Sequence, residues 1–141
     1  MARRLRGAVR ASDVVARLGG DEFFVLLEEV QDEVAIESVI RKLLGEVLRP
    51  YDLPGGAQAR LSASMGVSLF PDNSDEAGAL IKNADMAMYS AKQAGKNGYR
   101  FFAAPGSAPA GAPAKNGTVR AVSRATGSPL SRAAPASPEG D

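Results

Sequence analysis

Leu18-Gly19-Gly20-Asp21-Glu22-Phe23 lies between two apolar runs, Val14, Val15 and Leu18 before it and Phe23 to Leu27 after it. Short β-branched and aromatic runs broken by two glycines predict a tight β-hairpin, because glycine accepts the positive φ of a two-residue turn. The next pair is less ordinary. Asp21 and Glu22 set two carboxylates at or beside the turn, where backbone bare of side chains lets a phosphate come close. Adjacent carboxylates repel each other, and a divalent cation removes that repulsion. Oxygen-only ligands suit Mg²⁺, which takes one or two protein carboxylates and completes its shell with phosphates and water. On these residues alone, a solvated hairpin tip with two charges is the plainer reading.

The rest of the composition narrows the chemistry. With 141 residues, 45% apolar, 23% charged and a net charge of +1, the sequence describes one globular domain with a core. The near-neutral balance gives no support for a nucleic-acid partner. Cysteine and histidine are absent, so disulfides, thiolate metal sites and the usual zinc sites are excluded. Acids, bases and metal ligands must come from carboxylates, lysines or backbone oxygens. The apolar runs fall short of a membrane span and the start lacks a signal-peptide core, so the expected location is cytoplasmic with no membrane segment in the chain.

Outward from the hairpin, residues 1–10 read as a basic N-terminal tail, in which Leu5 and Val9, four apart, are spaced to share one helical face. After the hairpin, Asp32 is an N-cap candidate for an amphipathic helix over 33–48, whose apolar positions recur at spacings of three and four. Pro50 ends that helix, and Pro54-Gly55-Gly56 is a turn. From Arg60 to Leu69 the chain alternates: Leu61, Ala63, Met65, Val67 and Leu69 on one face, Ser62, Ser64, Gly66 and Ser68 on the other. The small second face predicts an element packed closely over it. Without a histidine to activate them, those serines are not nucleophile candidates. Ser74 or Asp75 can cap a helix carrying Ala77, Leu80, Ile81, Ala84, Ala87, Met88 and Ala91, which Gly95 ends. Residues 99–102 read as a closing strand. Residues 103–141 hold six of the nine prolines and no aromatic residue, which predicts a disordered tail.

Gly19-Gly20-Asp21-Glu22-Phe23 resembles the signature of the GGDEF family, the diguanylate cyclases that condense two GTP into cyclic di-GMP. The likeness runs from Arg3 to Phe102 and includes Arg10-Ala11-Ser12-Asp13 and Ala91-Lys92-Gln93-Ala94-Gly95-Lys96-Asn97. It implies an α/β (α+β) fold, a nucleotidyl-cyclase or palm-like, antiparallel-rich sheet flanked by helices. It also implies a partial domain over 1–102, since the family's first strand and helices have no counterpart here, leaving an apolar face uncovered. By the same resemblance Asp21 and Glu22 are catalytic and bind Mg²⁺ or Mn²⁺, while Gly19 and Gly20 let the nucleotide approach. Lys92 and Lys96 match positions that contact GTP phosphates; read alone, they are two cations near a helix C-terminus. Arg10 and Asp13 match an inhibitory site for cyclic di-GMP, where a guanidinium fork and a carboxylate suit phosphate and guanine. Arg41 falls near a second arginine of that site in some members; as a residue it reads as a helical surface arginine.

Active members carry an earlier strand ending in a metal-binding aspartate, then an asparagine and an aspartate that read guanine. The resemblance therefore implies a cyclase-type domain that is inactive as this chain, with catalysis in the family requiring a homodimer. The alternatives are a degenerate cyclic di-GMP sensor working through Arg10 and Asp13, or a non-functional gene fragment. Met1 stands where relatives often have a helical valine, so the expectation is a start placed inside a longer reading frame.

Overall fold

The computed structural model describes residues 1–104 and the strand 119–132. Nine elements follow in order: α1 (Ala2–Ala8), β1 (Val14–Gly19), β2 (Glu22–Val30), α2 (Glu33–Leu48), β3 (Tyr51–Asp52), β4 (Gln58–Phe70), α3 (Ala77–Gln93), β5 (Gly98–Phe101) and β6 (Val119–Arg132). The strands form one sheet in the order β1-β2-β6-β4-β3, with β5 parallel to β4 and every other pair antiparallel.

Helices cover both faces. Leu5 and Ala8 of α1 and Ile36, Ile40, Leu43 and Val47 of α2 bury against Phe23, Val25 and Leu27 of β2 and Ala63, Met65 and Val67 of β4. Each of the larger side chains among these, the valines, leucines, isoleucines, Phe23 and Met65, contributes about 1.5–3 kcal/mol by leaving water. The expected α2 boundaries hold, and its Asp32 carboxylate accepts a hydrogen bond from the Ala35 N–H at 2.7 Å. Arg4 ties α1 to the far end of α2, donating to the carbonyls of Glu46, Arg49 and Pro50 at 3.3, 2.6 and 2.6 Å. Its guanidinium also lies 3.8 Å from the Tyr51 ring centre.

The small face of β4 lies under α3, the close packing its serines and glycine predicted. A Cβ added to Gly66 would collide with the Ala84 carbonyl oxygen and the Met88 backbone nitrogen. Ser68, fully buried, donates from Oγ to the Leu80 carbonyl at 2.7 Å. The helix starts later than expected, with Glu76 at the N-cap position and no side-chain cap.

Two expectations change. The uncovered apolar face expected from the missing family strand and the disordered tail expected over 103–141 both meet β6, which Val119–Arg132 forms between β2 and β4. Residues 121–126 pair with β2 and β4 at once. The physical reason is that two facing strand edges offer backbone donors and acceptors to any extended segment, whatever its side-chain propensities. The remainder of the expected tail, 105–118 and 133–141, lies outside the described residues.

Candidate functional site

The hairpin turn is Gly20-Asp21 rather than Gly19-Gly20. Gly19 pairs with Glu22, and the register slips by one residue between Arg17 and Gly19, so the β1 arm bulges just before the tip. Gly19 and Gly20 take φ values of +150° and +53°, which side chains disfavour, and nothing crowds the space a Cβ would fill at either. Arg17 fixes the turn from beneath: its Nε and Nη2 donate to the Gly20 carbonyl at 2.9 and 2.6 Å. The sequence reading passed over Arg17, whose only signal is its place two residues ahead of Gly19.

Asp21 is exposed and Glu22 half-buried. Asp21, Gly20, Arg17 and Phe23 line an open groove of about 450 Å³ together with Met1, Ala2 and Leu61. No group of three or more acidic residues able to hold a metal occurs among the described residues. Asp21 lines this groove and Glu22, its neighbour in sequence, does not, so one carboxylate faces it; a hard cation such as Mg²⁺ or Mn²⁺ takes one or two protein carboxylates and completes its shell with phosphate and water oxygens.

Lys92 and Lys96 do not line this groove. Sheet register nevertheless sets their end of α3 level with the tip. Glu22 pairs with Thr126, Thr126 with Ser64, and Ser64 with Gly98, which follows Lys96 and Asn97 directly. Three strand spacings separate the ends of this row, roughly 14 Å. Lys96 and Asn97 both adopt left-handed backbone, with φ of +61° and +56°, as the chain reverses after α3. Lys92 lies in the last turn of the helix.

Arg10 and Asp13 occupy a separate place, with Leu27, Glu28, Val30, Ala35 and Val39 around a cleft of about 40 Å³. Arg10 is exposed, whereas Asp13 is 6% exposed. The Asp13 carboxylate accepts from the Arg10 N–H at 2.8 Å and the Glu28 N–H at 3.2 Å, so it braces the loop between α1 and β1. Arg6 reinforces the same loop, donating to the carbonyls of Arg10, Ala11 and Asp13. Arg41 stands apart from this cleft. It pairs with Glu37 at 3.7 Å and its guanidinium lies 5.8 Å from the Tyr99 ring centre. Tyr99 in turn donates to Glu37 Oε1 at 2.8 Å, and burial, then Glu37, pushes its phenol above the ordinary value.

Comparison with known proteins bears on this geometry. The family model described as diguanylate cyclase, GGDEF domain, matches residues 1–98. The bifunctional diguanylate cyclase/cyclic di-GMP phosphodiesterase MucR of Pseudomonas aeruginosa is 44% identical over 102 residues, 72% of this chain and 15% of that protein. The diguanylate cyclase TpbB of the same species is 38% identical over 101 residues, 72% of this chain and 23% of its own length. The crystal structure of the TpbB GGDEF domain superposes with a TM-score of 0.71 at 37% identity, covering 73% of this chain and 64% of that one. The chain therefore spans less than a quarter of these two curated relatives. Among the described residues no helix is long and apolar enough to cross a membrane.

Proposed function

Because this chain belongs to the diguanylate cyclase GGDEF domain family, we propose that its hairpin tip binds the triphosphate of GTP together with a divalent cation. In that reading the tip is the substrate end of a domain that condenses two GTP into cyclic di-GMP. The observation that carries it is the register row that levels the tip carboxylate Glu22 with the Lys96–Gly98 turn across the sheet. Carboxylates at one end of the row suit a cation, and lysine ammonium groups at the other suit phosphate oxygens.

Each residue has a defined task. The side-chain-free backbone of Gly19 and Gly20 admits the phosphates, and the Arg17 guanidinium holds the turn so that this opening keeps its shape. Asp21 and Glu22 hold the metal–nucleotide complex. Mg²⁺ or Mn²⁺, when bound, neutralises phosphate charge and lowers the pKa of the attacking hydroxyl. Lys92 and Lys96 draw the outer phosphates toward the end of α3. In the full reaction the 3′ oxygen of each GTP forms a bond to the other's α-phosphorus. The bond to the β-phosphate breaks, the hydroxyl proton passes to a carboxylate or water, and pyrophosphate leaves. The described residues carry the binding part of this scheme, and the chain by itself is expected to bind GTP without consuming it.

Calorimetric titration of the chain with GTP and Mg²⁺ tests the assignment. Asp21→Asn is expected to weaken binding at least about tenfold, a loss of about 1.4 kcal/mol. Its folding stability should stay within about 0.5 kcal/mol of the parent, because the side chain is exposed. Equal affinities in the two proteins would overturn the metal role of Asp21. Chromatography of the same mixtures should show no cyclic di-GMP.

A second reading rests on Arg10, an exposed guanidinium on a loop that Asp13 and Arg6 hold rigid. There the chain senses cyclic di-GMP without turnover. Binding of labelled cyclic di-GMP that Arg10→Ala removes and Asp21→Asn leaves intact would favour it. A chain that binds neither nucleotide would be non-functional.

A further inference from the structure

β5 has β4 on its inner side and, among the described residues, no strand on its outer side. In a parallel ladder the N–H and C=O of one residue point to the same side, and successive residues alternate. The Phe102 N–H donates inward to the Val67 carbonyl at 2.7 Å, so Arg100 turns its backbone inward as well, and Tyr99 and Phe101 turn theirs outward. These outward N–H and C=O groups are spaced to receive a further extended strand.

Beside that edge lies a groove of about 430 Å³ between β5 and the outer flank of α3. Its apolar lining includes Met86 and Tyr89, both exposed, and Phe102. Tyr99 and Phe101 pack on the core that α1 and α2 cover, so alternation turns Arg100 and Phe102 toward α3 and the groove. Gly66, the β4 neighbour of Arg100, lies under the Ala84–Met88 stretch of α3, which sets Arg100 level with that stretch. Arg100 is exposed and makes no hydrogen bond or ion pair among the described residues, whereas Asp85, the other charge on the groove, already has a partner. One candidate occupant of the edge is β5 of a second copy. An antiparallel pair using all the outward groups would set Tyr99 of each copy opposite Phe101 of the other, and Arg100 opposite its own counterpart. Side chains directly opposite have Cβ atoms about 5 Å apart, and like charges there are destabilising. The edge therefore selects against its own copy and for a strand with a carboxylate at that position.

We propose that the outer edge of β5 and the groove beside α3 form a docking site for an acidic, extended segment of another protein, added antiparallel to β5. A carboxylate side chain of that segment stands opposite Arg100. An apolar side chain two residues before it stands opposite Phe102 and enters the groove beside Met86 and Tyr89. The residues flanking the carboxylate exchange backbone hydrogen bonds with Tyr99 and Phe101. Main-chain bonds hold such a strand, and its alternate side chains select it. The site rests on the β5 register and the α3 groove, independently of the nucleotide reading.

The probe is a fluorescently labelled, capped peptide, Thr-Leu-Val-Glu-Thr-Thr, titrated into the full chain and followed by anisotropy. It should bind, and the same peptide with lysine in place of glutamate should bind at least about fivefold more weakly. Arg100→Glu should reverse that preference, making the lysine peptide the tighter ligand. Methylating the backbone nitrogens of the two residues that flank the glutamate should abolish binding, a change that a contact made through side chains alone would survive. In hydrogen exchange the Tyr99 and Phe101 amides should be fast in the free chain and slow with the peptide bound. Failure of the glutamate peptide to bind, binding that the methylation spares, or a preference that Arg100→Glu leaves unchanged would each overturn the proposal. Slow Tyr99 and Phe101 amides in the free chain would overturn it too. Sedimentation would then assign the edge to a second copy if the chain is a dimer, and to the chain's own residues if it is a monomer.

Discussion

Asp13 is buried, and its side-chain oxygens accept from two backbone N–H groups, those of Arg10 and Glu28. Removing the carboxylate leaves both part-buried donors without that partner. Asp13→Ala should therefore cost about 2–3 kcal/mol, read as a lower urea midpoint at unchanged slope. An unchanged midpoint would return Asp13 to the ligand role that its resemblance implies. Any loss of cyclic di-GMP binding in that variant has to be weighed against this damage, which Arg10→Ala does not share because its guanidinium is exposed. The sequence showed the pair and its spacing from the hairpin. It carried no sign of burial, since Arg-x-x-Asp reads the same on a surface loop and around a brace. The tip residues were legible because glycine beside glycine has few uses other than a turn, although the turn itself falls one residue later than expected.

At the scale of elements, the small face of β4 exists to admit α3. Gly66→Ala would drive a Cβ into backbone atoms of Ala84 and Met88, neither of which can move without shifting the helix. The expected loss is about 3 kcal/mol, seen as a fall in Tm, while Ser62 or Ser64 to Ala should cost less. A second tie links β5 to α2 through Tyr99 and Glu37. The Tyr99 phenol is held above its ordinary value near 10, by burial first and by Glu37 second. A raised pKa of this kind contributes stability fully present below pH of about 10 and lost as pH rises through the folded-state value. Urea midpoints should accordingly fall above pH 10 in the parent and fall less in Tyr99→Phe, which also loses about 1 kcal/mol at neutral pH. Parallel pH profiles would contradict the assignment. The alternation of β4 and the stripe of α3 were readable because period-2 and period-3.6 patterns follow from backbone geometry. Tyr99 meeting Glu37, 62 residues away, has no local signal.

For the molecule as a whole, the hairpin, both long helices and the central strand were legible, while the completion of the sheet was not. A strand such as Val119–Arg132 has neither alternation nor β-branched enrichment, and only the geometry of the channel between β2 and β4 calls for it. The same register that seats it also levels the hairpin tip with the end of α3, and that row is the basis of the nucleotide assignment. Paramagnetic relaxation tests it most directly. With Mn²⁺ and GTP added to ¹⁵N-labelled protein, the amide signals of Gly19 to Phe23 should broaden first and those of Lys96 to Gly98 next. Signals at the far end of α2 should persist, and Asp21→Asn should remove the effect. Broadening centred elsewhere, or equally strong in Asp21→Asn, would contradict the account.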